Sequence, residues 1–204
     1  RVADAMRRRG IQVRLGESVE GFEEGAVLTA GGPVPADMVV LGMGVTPNAE
    51  LASDAGIATG ARGAISVDRR QRTDVDGVWA AGDCAESYHQ VSRRWMHVAL
   101  GTVANKQGRV AGINLGGGYA TFPGVVGTAI TRVCDLEIAR TGLTTFEADA
   151  AGFDAVAVTI ETTSKAGYFP GTRPMMVKML AERGTGRLLG AQIVGGEGSA
   201  KRID

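Results

Sequence analysis

The chain has 204 residues, of which 44% are hydrophobic and 22% charged, proportions that exclude a disordered or fibrous protein. Lysine plus arginine and aspartate plus glutamate are equal at 22 each, so no net field attracts nucleic acid or an anionic membrane. No apolar run approaches the roughly 20 residues of a spanning helix, and the first residues lack the apolar segment of a secretory signal. We therefore expect a cytoplasmic protein without nucleic-acid or membrane partners.

The first part of the chain predicts a helix end followed by short strands. Residues 6–9 with Gly10 are typical of the last turn of a helix. Strands are predicted as a small meander over 11–13, 18–22 and 26–29, with a glycine turn before Val34. The continuous apolar run 37–41 is typical of a strand buried on both faces, and glycines 42 and 44 follow it.

The middle of the chain predicts two further buried strands and a long helix. The strands cover 64–67 and 78–81, and the second ends at Gly82 and Asp83. Apolar residues recur at helical spacing over 102–114, and three glycines at 116–118 close this helix. We predict a domain boundary at these glycines.

The last part of the chain predicts an α+β domain. Five strands are predicted, over 128–133, 137–141, 155–161, 175–180 and 188–194. Thr144 and Glu147 have the spacing of a capping box, and Leu143 with Ala148 that of a hydrophobic staple, so a short helix follows Thr144. A helix packed on an antiparallel sheet is the simplest arrangement. Both chain ends have the pattern of interrupted helices, which predicts a piece of a longer protein.

The most informative segment is 73–83, Thr-Asp-Val-Asp-Gly-Val-Trp-Ala-Ala-Gly-Asp, in which a turn leads into a strand that ends on an acidic side chain. Open α/β sheets bind ligands at the carboxyl ends of their strands. Gly82 allows close approach of the backbone to a ligand, and the Asp83 carboxylate can accept hydrogen bonds from ligand hydroxyls. An isolated Gly-Asp pair more often forms a turn in which the aspartate caps the next segment, but the eleven-residue pattern favours the ligand site.

This segment resembles the second flavin-binding motif of the FAD-dependent pyridine nucleotide-disulfide oxidoreductase family. The resemblance extends over nearly the whole chain and is closest to the coenzyme A-disulfide reductase, NADH oxidase and NADH peroxidase branch. The other segments that carry it are 88–91, 98–109, 141–143, 167–171 and 186–192. It implies that Asp83, with Gly82 beside it, holds a hydroxyl of the ribityl chain of FAD.

The resemblance also implies the fold and the division of the chain. We expect α/β nucleotide-binding portions, namely partial NAD and FAD domains, followed by an α+β dimerisation domain with an antiparallel sheet. Residues 1–47 would close an NAD(P)-binding domain, 48–118 would form the carboxy-terminal part of an FAD-binding domain, and 119–204 would form a truncated interface domain. Gly44 would lie near the nicotinamide nucleotide, although a simple turn back to the FAD domain fits the local sequence equally well.

Four residues, Ala99, Leu100, Gly101 and Thr102, open the predicted helix, whose unpaired amides and positive end suit an anion. In the family this helix start faces the pyrimidine edge of the flavin, which carries negative charge when reduced. A helix that Thr102 merely caps fits these residues as well if the preceding motif is disregarded.

Tyr168 lies in a turn-rich segment between Gly167 and Phe169. In the family a tyrosine of this motif reaches across the dimer toward the partner's flavin and redox cysteine, where it can orient a substrate or supply a proton. On the local sequence alone, an ordinary packed tyrosine is slightly favoured.

The cysteines and histidines give no catalytic or metal-binding pattern. Cys84 and Cys134 have neither the spacing of a redox pair nor that of a zinc site, so we expect packed thiols and no metal. His89 and His97 lie in no recognised catalytic motif, and surface or structural roles are favoured.

The implied function is transfer of electrons from NAD(P)H through FAD to a disulfide such as coenzyme A disulfide, or to oxygen or peroxide, in a homodimeric oxidoreductase. The G-x-G-x-x-G fingerprint of dinucleotide binding and the redox cysteine of the family are not among these 204 residues. The chain by itself is therefore expected to be inactive. The alternative is a non-enzymatic dimerisation module that binds no flavin tightly.

Overall fold

A computed structural model describes residues 1–203 of the chain. Two compact units are present, one covering Arg1–Gly44 and a second that begins at Val45. None of the helices in the described part of the chain has the length and apolar character needed to cross a membrane.

The first unit contains one helix and a three-stranded antiparallel sheet. Helix α1 covers Val2–Arg8 and is followed by Gly10, whose φ of +79° lies in the left-handed region that glycine adopts without strain. The strands are β1 (Val19–Glu23), β2 (Ala26–Thr29) and β3 (Gly32–Pro35), paired in the order β1-β2-β3. The predicted helix end and the predicted strands over 18–22 and 26–29 are thus confirmed, and the third strand of the sheet is β3.

Two strands predicted for this unit are wrong. Residues 11–13 and 37–41 form no strand, and Met38 and Val40 are 83% and 85% exposed although burial on both faces was predicted. A strand needs a neighbour to pair its N–H and C=O groups. Neither segment has such a neighbour among residues 1–203, so an apolar run alone produces no strand here.

The second unit begins with irregular structure around a small apolar core. Helix α2 covers Glu50–Asp54, and a single 3₁₀ turn covers Ala61–Gly63. The strands predicted over 64–67 and 78–81 are wrong. Each segment forms only isolated β-bridges, among them the one between Ile65 and Ala85. The two segments nevertheless pack against the same core, which consists of Ala49, Ile65, Val67 and Ala85.

A β-hairpin and a long helix follow. The hairpin pairs β4 (Glu86–His89) with β5 (Arg94–His97), and helix α3 covers Gly101–Leu115, within one residue of the prediction at each end. The buried face of α3 consists of Val103, Gln107, Val110, Ala111 and Asn114. The hairpin was not predicted, because three of the four residues of β4 are polar and yet buried.

The rest of the second unit is the predicted α+β arrangement. The five-stranded sheet is antiparallel throughout, in the order β6-β7-β10-β9-β8. Its strands are β6 (Ala129–Val133), β7 (Leu136–Gly142), β8 (Ala155–Thr163), β9 (Pro174–Glu182) and β10 (Leu188–Gly195), and a 3₁₀ turn at Ala200–Ile203 follows.

Helix α4 (Thr145–Ala150) begins with the predicted capping box. Thr144 Oγ1 accepts a hydrogen bond from the Glu147 N–H at 3.2 Å, and the Thr144 N–H donates to Glu147 Oε2 at 2.7 Å. Ala148 is fully buried in one cluster with Leu143, Leu180 and Leu189. The helix therefore packs on one face of the sheet.

His89, at the end of β4, has a structural position. The residue is 2% exposed, and its Nδ1 accepts a hydrogen bond from the Ser92 N–H at 3.1 Å. Burial lowers the pKa of His89, and the charge of Arg140 lowers it further. A hydrogen bond with the Val126 backbone and the charge of Glu147 oppose these effects without cancelling them. The folded protein thus favours the neutral imidazole.

This lowered pKa predicts a pH dependence of stability. An unfolded histidine has a pKa of about 6.5, so between about pH 7.5 and 5.5 the unfolded chain takes up a proton that folded His89 resists. The contribution of His89 is therefore complete above the unfolded pKa and is lost as pH falls. Urea unfolding at both pH values should show a smaller loss of unfolding free energy in His89→Asn than in the wild type. Equal losses in the two proteins would show that His89 does not titrate differently on folding.

Candidate functional site

Hydrogen bonds of Thr73 and Asp74 fix the turn at the start of the 73–83 segment. Thr73 Oγ1 accepts from the Val75 N–H at 3.2 Å and donates to the Val78 carbonyl at 3.1 Å, while the Thr73 N–H donates to the same carbonyl at 3.0 Å. Asp74 Oδ1 accepts from the Ala58 N–H at 3.0 Å. Threonine and aspartate at these positions thus fix the turn that precedes Gly82 and Asp83.

Gly82 needs to be glycine because of its backbone conformation. Its φ is +86°, in the left-handed region that costs most other residues energy. Space is not the reason, since a Cβ at this position would lie 3.5 Å from Ala104 Cβ, an ordinary contact. The Gly82 N–H donates to Gln107 Oε1 at 2.9 Å, so this turn is attached to α3.

The carboxylate of Asp83 is exposed to solvent, whereas the backbone around it is fixed by hydrogen bonds. The residue is exposed, and within residues 1–203 its carboxylate receives no hydrogen bond and forms no ion pair. Its carbonyl lies 2.7 Å from His97 Nε2. The N–H of Ala85 bonds to the Gly82 carbonyl, so Asp83 does not cap the segment that follows. Its carboxylate is thus available to a ligand.

The start of α3 has no side-chain cap. Leu100 stands at the cap position, and the N–H groups of Val103 and Ala104 both bond to its carbonyl, at 2.9 and 3.0 Å. The possibility that Thr102 caps the helix is wrong, because the helix begins at Gly101 and Thr102 lies inside its first turn. The first amides, of exposed Gly101 and Thr102, therefore lie at the positive end of the helix, where anions are favoured.

The structure brings some predicted site residues together and leaves others apart. Gly82 and Asp83 are tied to α3 through Gln107, and α3 begins directly after half-buried Ala99 and exposed Leu100. Gly44 is an exposed residue with a φ of +83° at the end of the first unit, and it belongs to no regular element.

Tyr168 lies in the loop between β8 and β9. It is 84% exposed, so the packed tyrosine that the local sequence favoured is wrong. Its ring stacks on that of Phe169, with centroids 4.9 Å apart and planes tilted by 32°. The hydroxyl is accessible to a ligand or to another chain.

Sequence reasoning missed Gln107, whose side chain is wholly buried between α3 and the 82–87 region. Its signal was present in the pattern, because Gln107 falls on the stripe that also holds Val103 and Val110. A polar residue on the apolar stripe of a helix must find hydrogen-bond partners inside the protein.

The structure places neither cysteine in a disulfide. Cys84 and Cys134 are both free and half-buried, and Cys84 Sγ lies 3.6 Å from the Ala81 carbonyl. No group of histidine, cysteine and carboxylate side chains that could hold a metal ion occurs among residues 1–203.

Two family models match the chain and cover most of it. Residues 1–108 match the pyridine nucleotide-disulphide oxidoreductase model, and residues 128–204 match the dimerisation domain of the same family. The family uses FAD and NAD(P)H.

Three known proteins illustrate the similarity. The chain is 42% identical to an NAD(P)H sulfur oxidoreductase (CoA-dependent) of Pyrococcus furiosus, over 93% of this chain and 44% of that protein. An NAD-dependent persulfide reductase of A. fulgidus has a TM-score of 0.95 and 40% identity, over 100% of this chain and 38% of its own. An FAD-dependent pyridine nucleotide-disulphide oxidoreductase of Desulfovibrio vulgaris has a TM-score of 0.82 and 35% identity, over 95% of this chain and 47% of its own.

The chain thus spans less than half the length of these relatives, and the similarity extends through both family models. It belongs to the pyridine nucleotide-disulphide oxidoreductase family.

Proposed function

We propose that the chain is part of a flavoprotein that transfers electrons from NAD(P)H through FAD to a disulfide such as coenzyme A disulfide, or to oxygen or peroxide. The observation that carries the proposal is the unpaired carboxylate of Asp83, presented beside left-handed Gly82 at the end of the 73–83 segment. The relatives are more than twice as long as the parts matched here. The activity is therefore proposed for a protein of their length that contains these residues.

The described residues fit FAD as a ligand. The ribityl chain of FAD offers hydroxyl donors, and a carboxylate free of protein partners is a strong acceptor for such donors. The uncapped start of α3 offers N–H groups and a positive dipole to a group that gains negative charge. When bound, FAD would supply the redox chemistry that links hydride transfer from the nicotinamide to reduction of the acceptor.

Each site residue has a distinct role in this proposal. Asp83 binds and orients a ribityl hydroxyl, and Gly82 lets the backbone approach the cofactor. The segment 99–102 places the positive end of α3 at the flavin edge that becomes negative, which favours the reduced form electrostatically. Gly44 lies beside the nicotinamide nucleotide, in the part of the chain that closes the NAD(P)-binding domain.

The division of the chain follows the same proposal. Residues 1–47 belong to the NAD(P)-binding domain, 48–118 to the FAD-binding domain, and 119–204 to the interface domain of a homodimer. The match of residues 128–204 to a dimerisation-domain model supports the homodimer. Two free cysteines agree with a reducing, cytoplasmic compartment.

The acceptor class that we favour is a sulfur–sulfur bond. Two of the similar proteins are named for reduction of sulfur or persulfide, and one of them is named as dependent on coenzyme A. In a dimer, Tyr168 projects from its loop toward the partner, where its hydroxyl can hydrogen-bond to the acceptor or give a proton to a leaving thiolate.

Replacing Asp83 tests the flavin site. In the full-length protein that carries this chain, Asp83→Ala should weaken FAD binding by about 1.5–3 kcal/mol, or roughly ten- to a hundredfold in Kd, because a charged acceptor is lost. Titration of the apoprotein with FAD, followed by flavin fluorescence, measures this change. The matched control is Asp76→Ala, which removes another exposed carboxylate of the same segment and should leave the Kd unchanged. Undiminished affinity in Asp83→Ala would remove Asp83 from the site.

Replacing Tyr168 tests the acceptor half of the reaction. In the intact dimer, Tyr168→Phe should slow reduction of the acceptor while flavin content and flavin reduction by NAD(P)H stay unchanged, because only the hydroxyl is lost. Stopped-flow absorbance of the flavin separates the two half-reactions. Tyr119→Phe, at a tyrosine that is 76% exposed beneath the Arg70 guanidinium, is the control and should affect neither. Unchanged turnover in Tyr168→Phe would contradict the assignment, and equal loss of both half-reactions would place Tyr168 outside the acceptor step.

A further inference from the structure

Gln107 lies on the buried face of α3 with both ends of its amide bonded. We propose that Gln107 is a positioning residue of the flavin site, which holds the Gly82–Asp83 backbone against α3 so that the Asp83 carboxylate meets the ribityl hydroxyl. This inference rests on the proposed function, and it assigns a role to a residue that contacts no solvent.

The contacts of Gln107 fix the orientation of its amide. Oε1 accepts from the Gly82 N–H at 2.9 Å, and Nε2 donates to the Glu86 carbonyl at 2.9 Å and to Ser87 Oγ at 3.0 Å. A flipped amide would set its NH₂ group against the Gly82 N–H and its oxygen against the Glu86 carbonyl, so only one orientation satisfies all partners. The side chain thus acts as a fixed link between the Gly82 turn and β4.

The hydrogen bond between Gly82 and Gln107 positions Asp83 because Gly82 is the residue directly before it. Gly82 precedes Asp83 and has a left-handed conformation, so its N–H bond defines the direction in which the chain enters Asp83. On the other side, the Asp83 carbonyl is held by His97 Nε2 at 2.7 Å. The backbone of Asp83 is therefore held from both sides while its carboxylate stays unpaired.

The same link also relates Asp83 to the start of α3. Gln107 belongs to the helix whose uncapped first turn contains Gly101 and Thr102. Holding Gly82 on this helix fixes the distance between the hydroxyl acceptor and the amide donors. A cofactor that contacts both the carboxylate and the amides binds more weakly when the distance between them varies. Binding must then also fix that distance, which costs free energy.

Asn114 provides a matched control on the same helix. It lies seven residues after Gln107, on the same buried face, and is 6% exposed. Its Nδ2 donates to the carbonyls of Arg70 and Ala120 at 3.0 and 2.9 Å, and its Oδ1 accepts from the Ala120 N–H at 3.0 Å. It therefore anchors α3 in the same chemical manner as Gln107, without a bond to Gly82 or Asp83.

The test compares Gln107→Met with Asn114→Leu in the full-length protein that carries this chain. Each variant replaces a buried amide with an apolar side chain of similar shape, and the thermal midpoint of the apoprotein should fall in both. FAD titration should show about tenfold or greater loss of affinity in Gln107→Met and a change within about twofold in Asn114→Leu. Equal losses of FAD affinity in the two variants would show that Gln107 only supports the fold.

A double-mutant cycle with Asp83→Ala tests whether Gln107 acts through Asp83. In the Asp83→Ala background, Gln107→Met should cost much less affinity than in the wild type, because the group that it positions is gone. Independent, additive losses would overturn the inference and leave the proposed function intact. If Asp83→Ala alone leaves the affinity unchanged, the proposed site fails and the inference fails with it.

Gln107→Glu provides a second variant. Its carboxylate can still accept from the Gly82 N–H but cannot donate to the Glu86 carbonyl when ionised. The loss of FAD affinity should therefore be smaller in Gln107→Glu than in Gln107→Met. The opposite order would contradict the proposal. If Gln107→Met does not fold, the cycle with Asp83→Ala is carried out with Gln107→Glu, and additive losses again overturn the inference.

Discussion

The hydrogen bond from the Gly82 N–H to the Gln107 side chain joins the end of the 73–83 segment to the buried face of α3. Most of the proposed site depends on this bond. Gly82 turns the chain in the left-handed sense, its N–H is satisfied by this bond, and Asp83 follows directly from that turn. In the proposed site the first turn of α3 supplies the other binding groups, so one buried amide would set the relation between the Asp83 carboxylate and these amides.

Buried polar residues play a similar part in the neighbouring hairpin. Ser87 and His89 of β4 are 1% and 2% exposed, and Ser87 Oγ receives one of the hydrogen bonds of Gln107. Glu86 accepts from the Ala61 N–H at 2.5 Å, and a side chain at position 60 would require the Glu86 carboxylate to move away from this position. In this part of the chain, specific polar contacts hold segments that contain little regular secondary structure.

The elements that could be predicted from the sequence are those whose signals are local. The capping box at Thr144 and Glu147 and the five strands of the antiparallel sheet follow from side-chain spacing and turn residues, which act within a few positions. The run 37–41 failed because a strand also requires a neighbouring strand, which no local pattern supplies. Strand β4 was missed for the opposite reason, since its polar residues are buried through partners distant in sequence.

The same division applies to the candidate site. Asp83 could be predicted because an eleven-residue pattern surrounds it, and the start of α3 because a glycine and a threonine precede a helical stripe. Gln107 could not be predicted from an isolated glutamine, because its role depends on Gly82, which lies 25 residues earlier in the chain. Local spacing can mark such a residue as unusual, but only the fold identifies its partners.

A crystal structure of the full-length protein with FAD bound would test the proposed site most directly. We predict that an oxygen of the Asp83 carboxylate lies within about 2.5–3.0 Å of a ribityl hydroxyl, the range of an O–H···O hydrogen bond. We also predict that the pyrimidine edge of the flavin lies at the first turn of α3, with the bond between Gly82 and Gln107 retained. Bound flavin with the Asp83 carboxylate directed to solvent, beyond hydrogen-bonding distance of the cofactor, would contradict the proposed site.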